Sequence, residues 1–180
     1  MKIGLIGCGR MGAAMAARLG ETGAAPLCWD ISAEARARVA EAGAPVASSP
    51  QAVAEALETV IRSLPNAAAV KEAMAAVDPA LPPEAIVVDT TTSEPGVSLA
   101  LAAAGWRFID TAVSSALTGA RLGSMTMLVG GGKGALSLAR HDLDRLAAKI
   151  VDVSDAGAGH AAKIANNMPC AANLSLVAEA

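Results

Sequence analysis

The chain has 180 residues, of which 53% are apolar and 17% are charged, so it is long enough to bury the core of one domain. Its formal net charge of −3, without any run of lysine or arginine, excludes a broad basic surface, and we expect neither a nucleic acid nor a membrane as a partner. Three cysteines and two histidines, far apart in the sequence, predict no disulfide framework and no metal site, and we expect a reducing, cytoplasmic location.

Short β-branched segments alternate along the chain with longer alanine-rich segments of helical period. This alternation predicts an α/β fold, with a doubly wound, mostly parallel sheet and helices on both faces. The predicted strands are Lys2–Ile6, Pro26–Trp29, Thr59–Arg62, Ile86–Val88, Arg107–Ile109, Met125–Val129 and Lys149–Val151. The predicted helices are Met11–Thr22, Ala33–Ala42, Pro50–Ala56, Ala67–Val77, Pro95–Ala103, Gly134–Ala147 and a last helix that begins near Gly159.

A glycine-rich motif, Gly7-Cys8-Gly9-Arg10-Met11-Gly12, follows the first predicted strand and opens the first predicted helix. In such a turn Gly7 allows the tight bend, Gly9 lets the backbone approach a pyrophosphate, and Gly12 lets helix and strand pack together. The helix N-terminus adds free N–H groups and the positive end of its dipole. The motif predicts a Rossmann-type dinucleotide site that includes Arg10 and Met11. The alternative is an ordinary tight turn between strand and helix.

Asp30 ends the second predicted strand, about 20 residues beyond the glycine motif. A carboxylate at this place can accept hydrogen bonds from the ribose hydroxyls of an adenosine. It would repel a 2′-phosphate, and no arginine follows immediately, so we expect NAD and disfavour NADP. The alternative is that Asp30 only helps to cap the helix that follows Ser32.

Five motifs follow one another along nearly the whole chain. They are the segment 7–16, Leu64-Pro65, Asp89-Thr90-Thr91-Thr92 with Pro95, the segment 110–114 with Gly119, and the segment 157–163 leading to Asn166-Asn167. Together they resemble the 3-hydroxyisobutyrate dehydrogenase family, a branch of the β-hydroxyacid dehydrogenases related to 6-phosphogluconate dehydrogenase. The resemblance implies a Rossmann-type NAD-binding domain and hydride transfer to or from a small 3-hydroxy acid or its semialdehyde.

Two loops past predicted strand ends complete the expected cofactor site. Leu64 and Pro65 follow one strand and Thr92 follows another, in the crevice where open α/β sheets receive their ligands. In the family such loops hold the cofactor. The alternatives are that Leu64-Pro65 forms a turn that stops a strand and that the threonines cap the next helix.

The segment 110–116 resembles the substrate loop of the family, in which a serine and neighbouring amides bind the substrate carboxylate. We therefore expect Ser114, Ser115, Ala116 and Thr92 to bind substrate. The family usually has glycines where Ser115 and Ala116 stand. Because a Cβ atom penalises positive φ, we expect an amide aimed at the carboxylate by a glycine turn to point elsewhere in this chain. The alternative role of both serines is to cap a helix at 117–122.

Lys163 and Asn167 lie four residues apart, so on a helix they share one face. Oxidation of an alcohol requires removal of the hydroxyl proton, and reduction requires its return. A lysine in an apolar cleft can do both, because desolvation disfavours its ammonium form. We expect Lys163 to be the general acid and base and Asn167 to hold the substrate oxygen. The alternative for Lys163 is a solvated surface lysine.

The expected organisation is a dinucleotide-binding domain with the substrate loop over residues 1–158 and the start of a long interdomain helix over 159–180. In the family a helical domain follows that helix, and we expect it to be absent from this chain. We also expect a homo-oligomer that forms through the C-terminal helix. Two alternatives to the dehydrogenase stay open. They are a non-catalytic or truncated dinucleotide-binding module and an enzyme similar to the imine reductases, against which Lys163 argues.

Overall fold

A computed structural model of the protein describes residues 2–55 and 57–179. It contains seven strands, β1 Ile3–Ile6, β2 Leu27–Trp29, β3 Thr59–Arg62, β4 Ile86–Asp89, β5 Arg107–Ser114, β6 Met125–Gly130 and β7 Ala147–Ser154. Among the described residues the α-helices are α1 Arg10–Glu21, α2 Ala33–Glu41, α3 Pro50–Ala54, α4 Ala67–Val77, α5 Pro95–Ala103, α6 Ala116–Leu122, α7 Gly132–Leu143 and α8 Ala158–Glu179. None of these helices is long and apolar enough to cross a membrane.

The strands form one sheet in the order β2-β1-β3-β4-β5-β6-β7, parallel except for the antiparallel pair β5–β6. The chain moves outward from β1 to β2 and then returns to β3 on the other side of β1. The carboxyl ends of β1 and β3 therefore flank the crevice in which open α/β sheets bind ligands. This arrangement confirms the predicted α/β fold with a doubly wound, mostly parallel sheet.

Each face of the sheet is buried under its own layer of helices. One apolar cluster joins Leu5 to Met15 and Leu19 of α1 and to Leu143 of α7. The second cluster packs side chains of α3, α4 and α5 against the opposite face. Because both faces are covered, strands β1, β3 and β4 are buried along their whole length, as the short β-branched segments predicted.

Several predicted boundaries were wrong or fall outside the described residues. Strand β7 runs over Ala147–Ser154, beyond both ends of the predicted Lys149–Val151. Strand β5 continues to Ser114, where we predicted a loop from residue 110, because β6 pairs with residues 110–114 in antiparallel register. Helix α7 ends at Leu143 instead of Ala147, since Ala147 opens β7 and pairs with Met125. Ala56, the predicted end of the third helix, lies outside the described residues.

The last helix, α8, covers 22 residues and stays helical across Pro169. Its later part carries exposed apolar side chains, Ile164, Met168, Leu174, Leu176 and Val177. The homo-oligomer and the domain division stay predictions.

Candidate functional site

The glycine motif forms a tight turn between β1 and α1. Gly7 has φ of +95°, and its N–H donates to the carbonyl of Trp29 on β2 at 2.9 Å. A Cβ atom on Gly12 would overlap the carbonyl of Gly7, so this glycine is required for the first turn of α1 to pack on the loop. Gly9, the N-cap of α1, has open space beside it, with no atom within 4 Å of an added Cβ. The loop therefore leaves room for a ligand at the N–H groups of α1.

Asp30 connects this loop to the end of β2. Its Oδ2 accepts the N–H of Cys8 at 2.6 Å, and its Oδ1 accepts the N–H of Ser32 at 2.8 Å. The cap of α2 is instead the hydroxyl of Ser32, which accepts the N–H of Ala35 at 3.2 Å. Each carboxylate oxygen has a further lone pair, so Asp30 can still accept hydrogen bonds from a ribose.

The side chain of Cys8 points away from the loop into the core, where it interacts with Cys28 of β2. Both thiols are buried. The hydrogen bond between the two thiols and burial raise the pKa of Cys8, and the same hydrogen bond lowers the pKa of Cys28. Two cysteines that are distant in sequence are thus neighbours beneath the glycine-rich turn between β1 and α1. Among the described residues, no group of three or more His, Cys, Asp or Glu side chains is placed to hold a metal ion.

A cavity of about 760 Å³ opens in the crevice beside the glycine-rich turn and Asp30. Its lining includes most of the predicted cofactor residues, namely Gly7, Gly9, Arg10, Met11, Asp30, Leu64, Pro65 and Thr92. The threonine motif organises the far wall of the cavity. The hydroxyl of Thr91 accepts the N–H of Leu64 at 3.1 Å, and the hydroxyl of Thr90 donates to the carbonyl of Arg62 at 2.7 Å. The N-cap of α5 is Glu94, so these two threonines join the two loops rather than cap that helix.

The expected substrate loop keeps an unusual backbone. Ser114 ends β5, and the next two residues have positive φ, +96° at Ser115 and +48° at Ala116. We expected the Cβ atoms to disfavour this glycine-like conformation, yet the backbone retains it. Ser115 is the N-cap of α6, but its side chain makes no capping hydrogen bond. The loop therefore stores strain, on the order of 1 kcal/mol or more at each residue.

The side chain of Lys163 reaches from α8 to the end of β5. The side chain is half-buried, and its Nζ donates to the carbonyl of Val113 at 2.8 Å. Val113 itself lines the cavity next to Thr92. Asn167 lies one turn further along α8 and is exposed. Lys163 is thus bonded to a residue of the cavity lining, whereas Lys163 itself, Ser114, Ser115, Ala116 and Asn167 are not among the lining residues.

Several lining residues were not predicted from the sequence. One wall is the face of α4 that carries Ala69, Glu72, Ala73 and Ala76, whose spacing of three and four residues is the only sequence signal for it. Arg36 is not a lining residue, but its contact with Asp30 was also missed, because it lies six residues further along the chain. The first turns of α2 bring its Nη1 back to the carbonyl of Asp30 at 2.5 Å.

Comparison with known proteins gives consistent matches. A family model described as the NAD binding domain of 6-phosphogluconate dehydrogenase matches residues 2–154. The mitochondrial 3-hydroxyisobutyrate dehydrogenase of Mus musculus is 34% identical over 99% of this chain and 55% of its own length. The 2-(hydroxymethyl)glutarate dehydrogenase of Eubacterium barkeri is 33% identical over 100% of this chain and 62% of its own length.

Solved structures agree with these matches. Mycobacterium tuberculosis 3-hydroxyisobutyrate dehydrogenase with L-serine superimposes with a TM-score of 0.92 at 34% identity, covering 99% of this chain and 62% of that one. A Streptomyces aurantiacus imine reductase, at 23% identity and a TM-score of 0.83 over 93% of this chain and 60% of that one, shares the fold. The chain thus spans between 55% and 62% of the length of the two curated relatives.

Proposed function

Because the chain belongs to the family of the NAD binding domain of 6-phosphogluconate dehydrogenase, we propose that it works as an NAD-dependent dehydrogenase of a small 3-hydroxy acid or of the matching semialdehyde. One observation carries the proposal. The Nζ of Lys163 donates to the carbonyl of Val113, a residue that lines the cavity and lies on the strand that leads into the expected substrate loop. A lysine in that position is the kind of group that proton transfer at an alcohol requires.

The residues of the cavity fit a dinucleotide. The open space beside Gly9 is a cradle that a side chain would fill, and it lies at the N-terminus of a 12-residue helix. Asp30 borders the same cavity with carboxylate oxygens that can accept from a ribose. When bound, NAD accepts a hydride from the alcohol carbon or returns one to the carbonyl carbon.

The substrate contacts follow from the loops around Lys163. Thr92, Ser114, Ser115 and Ala116 bind the substrate carboxylate, through hydroxyl groups and backbone amides. Lys163 takes the hydroxyl proton during oxidation and gives it back during reduction, while Asn167 holds the reacting oxygen. The relatives named for 3-hydroxyisobutyrate and 2-(hydroxymethyl)glutarate support a hydroxy acid as the substrate class.

The test is NADH formation by the purified chain with 3-hydroxyisobutyrate, glycerate and serine, and with 4-hydroxybutyrate as an outlier. Lys163→Ala is assayed in parallel, and Lys149→Ala, an exposed lysine of β7, is the matched control. We expect Lys163→Ala to abolish turnover and to leave NADH affinity within a few-fold, whereas Lys149→Ala behaves as wild type.

Three results would overturn the proposal. Full turnover in Lys163→Ala would remove its assigned role. Bound NADH without turnover of any hydroxy acid by the wild-type chain would favour a dinucleotide-binding module instead. Reduction of an imine in place of a semialdehyde would favour the imine reductase alternative.

A further inference from the structure

Asp110 is a buried carboxylate in the middle of β5, outside the set of residues assigned to cofactor or substrate. Its Oδ1 accepts the N–H of Gly157 at 2.6 Å, and its Oδ2 accepts the N–H of His160 at 2.7 Å. Both donors belong to the start of α8, where the first N–H groups have no partner within the helix. The negative charge also faces the positive end of the helix dipole. The carboxylate of Asp110 therefore accepts hydrogen bonds from the N–H groups at the start of α8, although His160 is 50 residues away in the sequence.

Two glycines allow this close approach. A Cβ atom on Gly130 of β6 would lie 2.7 Å from Oδ1 of Asp110, and one on Gly159 of α8 would lie 2.8 Å from Oδ2. No side chain fits at either place without moving the carboxylate. Strand β5, strand β6 and helix α8 therefore meet at Asp110 with little freedom to shift.

The same strand and helix meet again near the cavity. The carbonyl of Val113 accepts a hydrogen bond from the Nζ of Lys163. Val113 lies three residues after Asp110, and Lys163 lies three residues after His160. A shift of α8 along β5 would therefore move the amine of Lys163 relative to the cavity that Val113 lines. His160 adds a further connection, since its Nδ1 lies 3.0 Å from the hydroxyl of Ser98 on α5.

We propose that Asp110 is a positioning residue, which fixes the start of α8 on β5 so that the amine of Lys163 stays bonded to Val113, a residue of the cavity lining. The catalytic part of this inference rests on the proposed function, whereas the placement of Lys163 can be measured without turnover.

The test is Asp110→Asn, which keeps the shape of the side chain but turns an amide N–H₂ toward one of the two backbone donors. The matched control is Asp142→Asn. Asp142 is a buried aspartate of α7 whose Oδ2 accepts the hydroxyl of Thr59 at 2.7 Å. Four quantities are compared. They are kcat, KM, the NADH dissociation constant, and the acetylation rate of Lys163 relative to Lys149, which mass spectrometry measures.

We expect Asp110→Asn to lower kcat by about tenfold to a hundredfold, to leave NADH affinity within about threefold, and to raise the acetylation rate of Lys163 several-fold. Asp142→Asn should cost stability without these changes. Wild-type acetylation of Lys163 in Asp110→Asn, or equal effects of both variants, would overturn the inference.

Two outcomes need separate treatment. Should Asp110→Asn not fold, Gly159→Ala is the second variant. Its Cβ would meet the carbonyls of Leu128 and Asp110 at 2.6 and 2.7 Å and Oδ2 of Asp110 at 2.8 Å, so it shifts the start of α8 away from β5 while the carboxylate of Asp110 remains in the chain. Should the wild-type chain show no turnover, the proposed function fails, while the acetylation rates still decide whether Asp110 positions Lys163.

Discussion

Asp89 of β4 and Asp110 of β5 are register partners on neighbouring parallel strands, and both carboxylates are fully buried. The two side chains organise different halves of the site. Asp89 accepts the N–H of Thr91 at 2.9 Å and so shapes the loop after β4, whereas Asp110 holds the start of α8. Asp89 at the end of β4 and Asp110 in the middle of β5 thus support the loop after β4 and the start of α8 from adjacent register positions.

The buried position of Asp89 has a consequence for stability at different pH values. Desolvation raises the pKa of Asp89 above its ordinary value of 3.8, against the lowering effects of the hydrogen bonds from Thr91 and of nearby His160 and Arg62. The folded chain then binds a proton more tightly than the unfolded chain. The contribution of Asp89 to the free energy of unfolding therefore falls as pH rises from 3.8 to the raised pKa.

Asp89→Asn cannot titrate at this position. We expect its free energy of unfolding, relative to wild type, to become more favourable as pH rises from about 4 to about 7. Urea denaturation at both pH values measures the difference, and Asp152→Asn, at an exposed aspartate of β7, serves as control. A difference for Asp89→Asn that does not change with pH would contradict the raised pKa.

Asp30→Ala tests the choice between NAD and NADP. We expect the NADH dissociation constant to rise at least about tenfold, because hydrogen bonds from the ribose to a charged acceptor are lost. The affinity for NADPH should fall much less, since removal of the carboxylate also removes its repulsion of the 2′-phosphate. Fluorescence titration measures both constants. Ser32→Ala, which removes only the cap of α2, should leave their ratio unchanged, and equal losses in Asp30→Ala would reject the assignment.

The two glycines that flank Arg10 and Met11 should respond differently to the same substitution. Gly9→Ala should change stability by less than about 1 kcal/mol, since Gly9 has φ of −63° and open space around it. The same substitution should weaken NADH binding at least about tenfold, because the added methyl group occupies space that the loop leaves for the ligand. Gly12→Ala should destabilise the fold by about 1–3 kcal/mol, because its Cβ overlaps the carbonyl of Gly7. Chemical denaturation and NADH titration separate the two effects. Equal stability losses would contradict the geometry.

The strain at the end of β5 gives a prediction that needs no cofactor. Ser115→Gly should raise the free energy of unfolding by about 1 kcal/mol, since glycine adopts positive φ without the penalty of a Cβ atom. Ser114→Gly, one residue earlier in the strand, should lower it by a similar amount. Guanidinium denaturation of both variants measures the contrast, and a destabilised Ser115→Gly would show that the side chain contributes more than the strain costs.

Local patterns of the sequence were sufficient for much of the fold and half of the site. The strand Thr59–Arg62 and the helices Ala67–Val77 and Pro95–Ala103 have the predicted bounds, because apolar period, turn residues and proline act within a few residues of one another. The cofactor residues from Gly7 to Asp30 were predicted for the same reason. A strand, a turn and a helix N-terminus form a phosphate site almost without help from the rest of the chain.

The substrate half depended on tertiary structure. Strand β5 extends to Ser114 because β6 pairs with it in antiparallel register, which the strand's own sequence does not specify. Asp110 meets Gly157 and His160, and Val113 meets Lys163, across 47 to 50 residues of chain. Contacts over such distances depend on how the sheet and α8 pack together. The sequence by itself therefore determined which residues we expect to carry the chemistry and the local form of the glycine-rich loop, and only the packing of α8 on β5 decided where Lys163 lies.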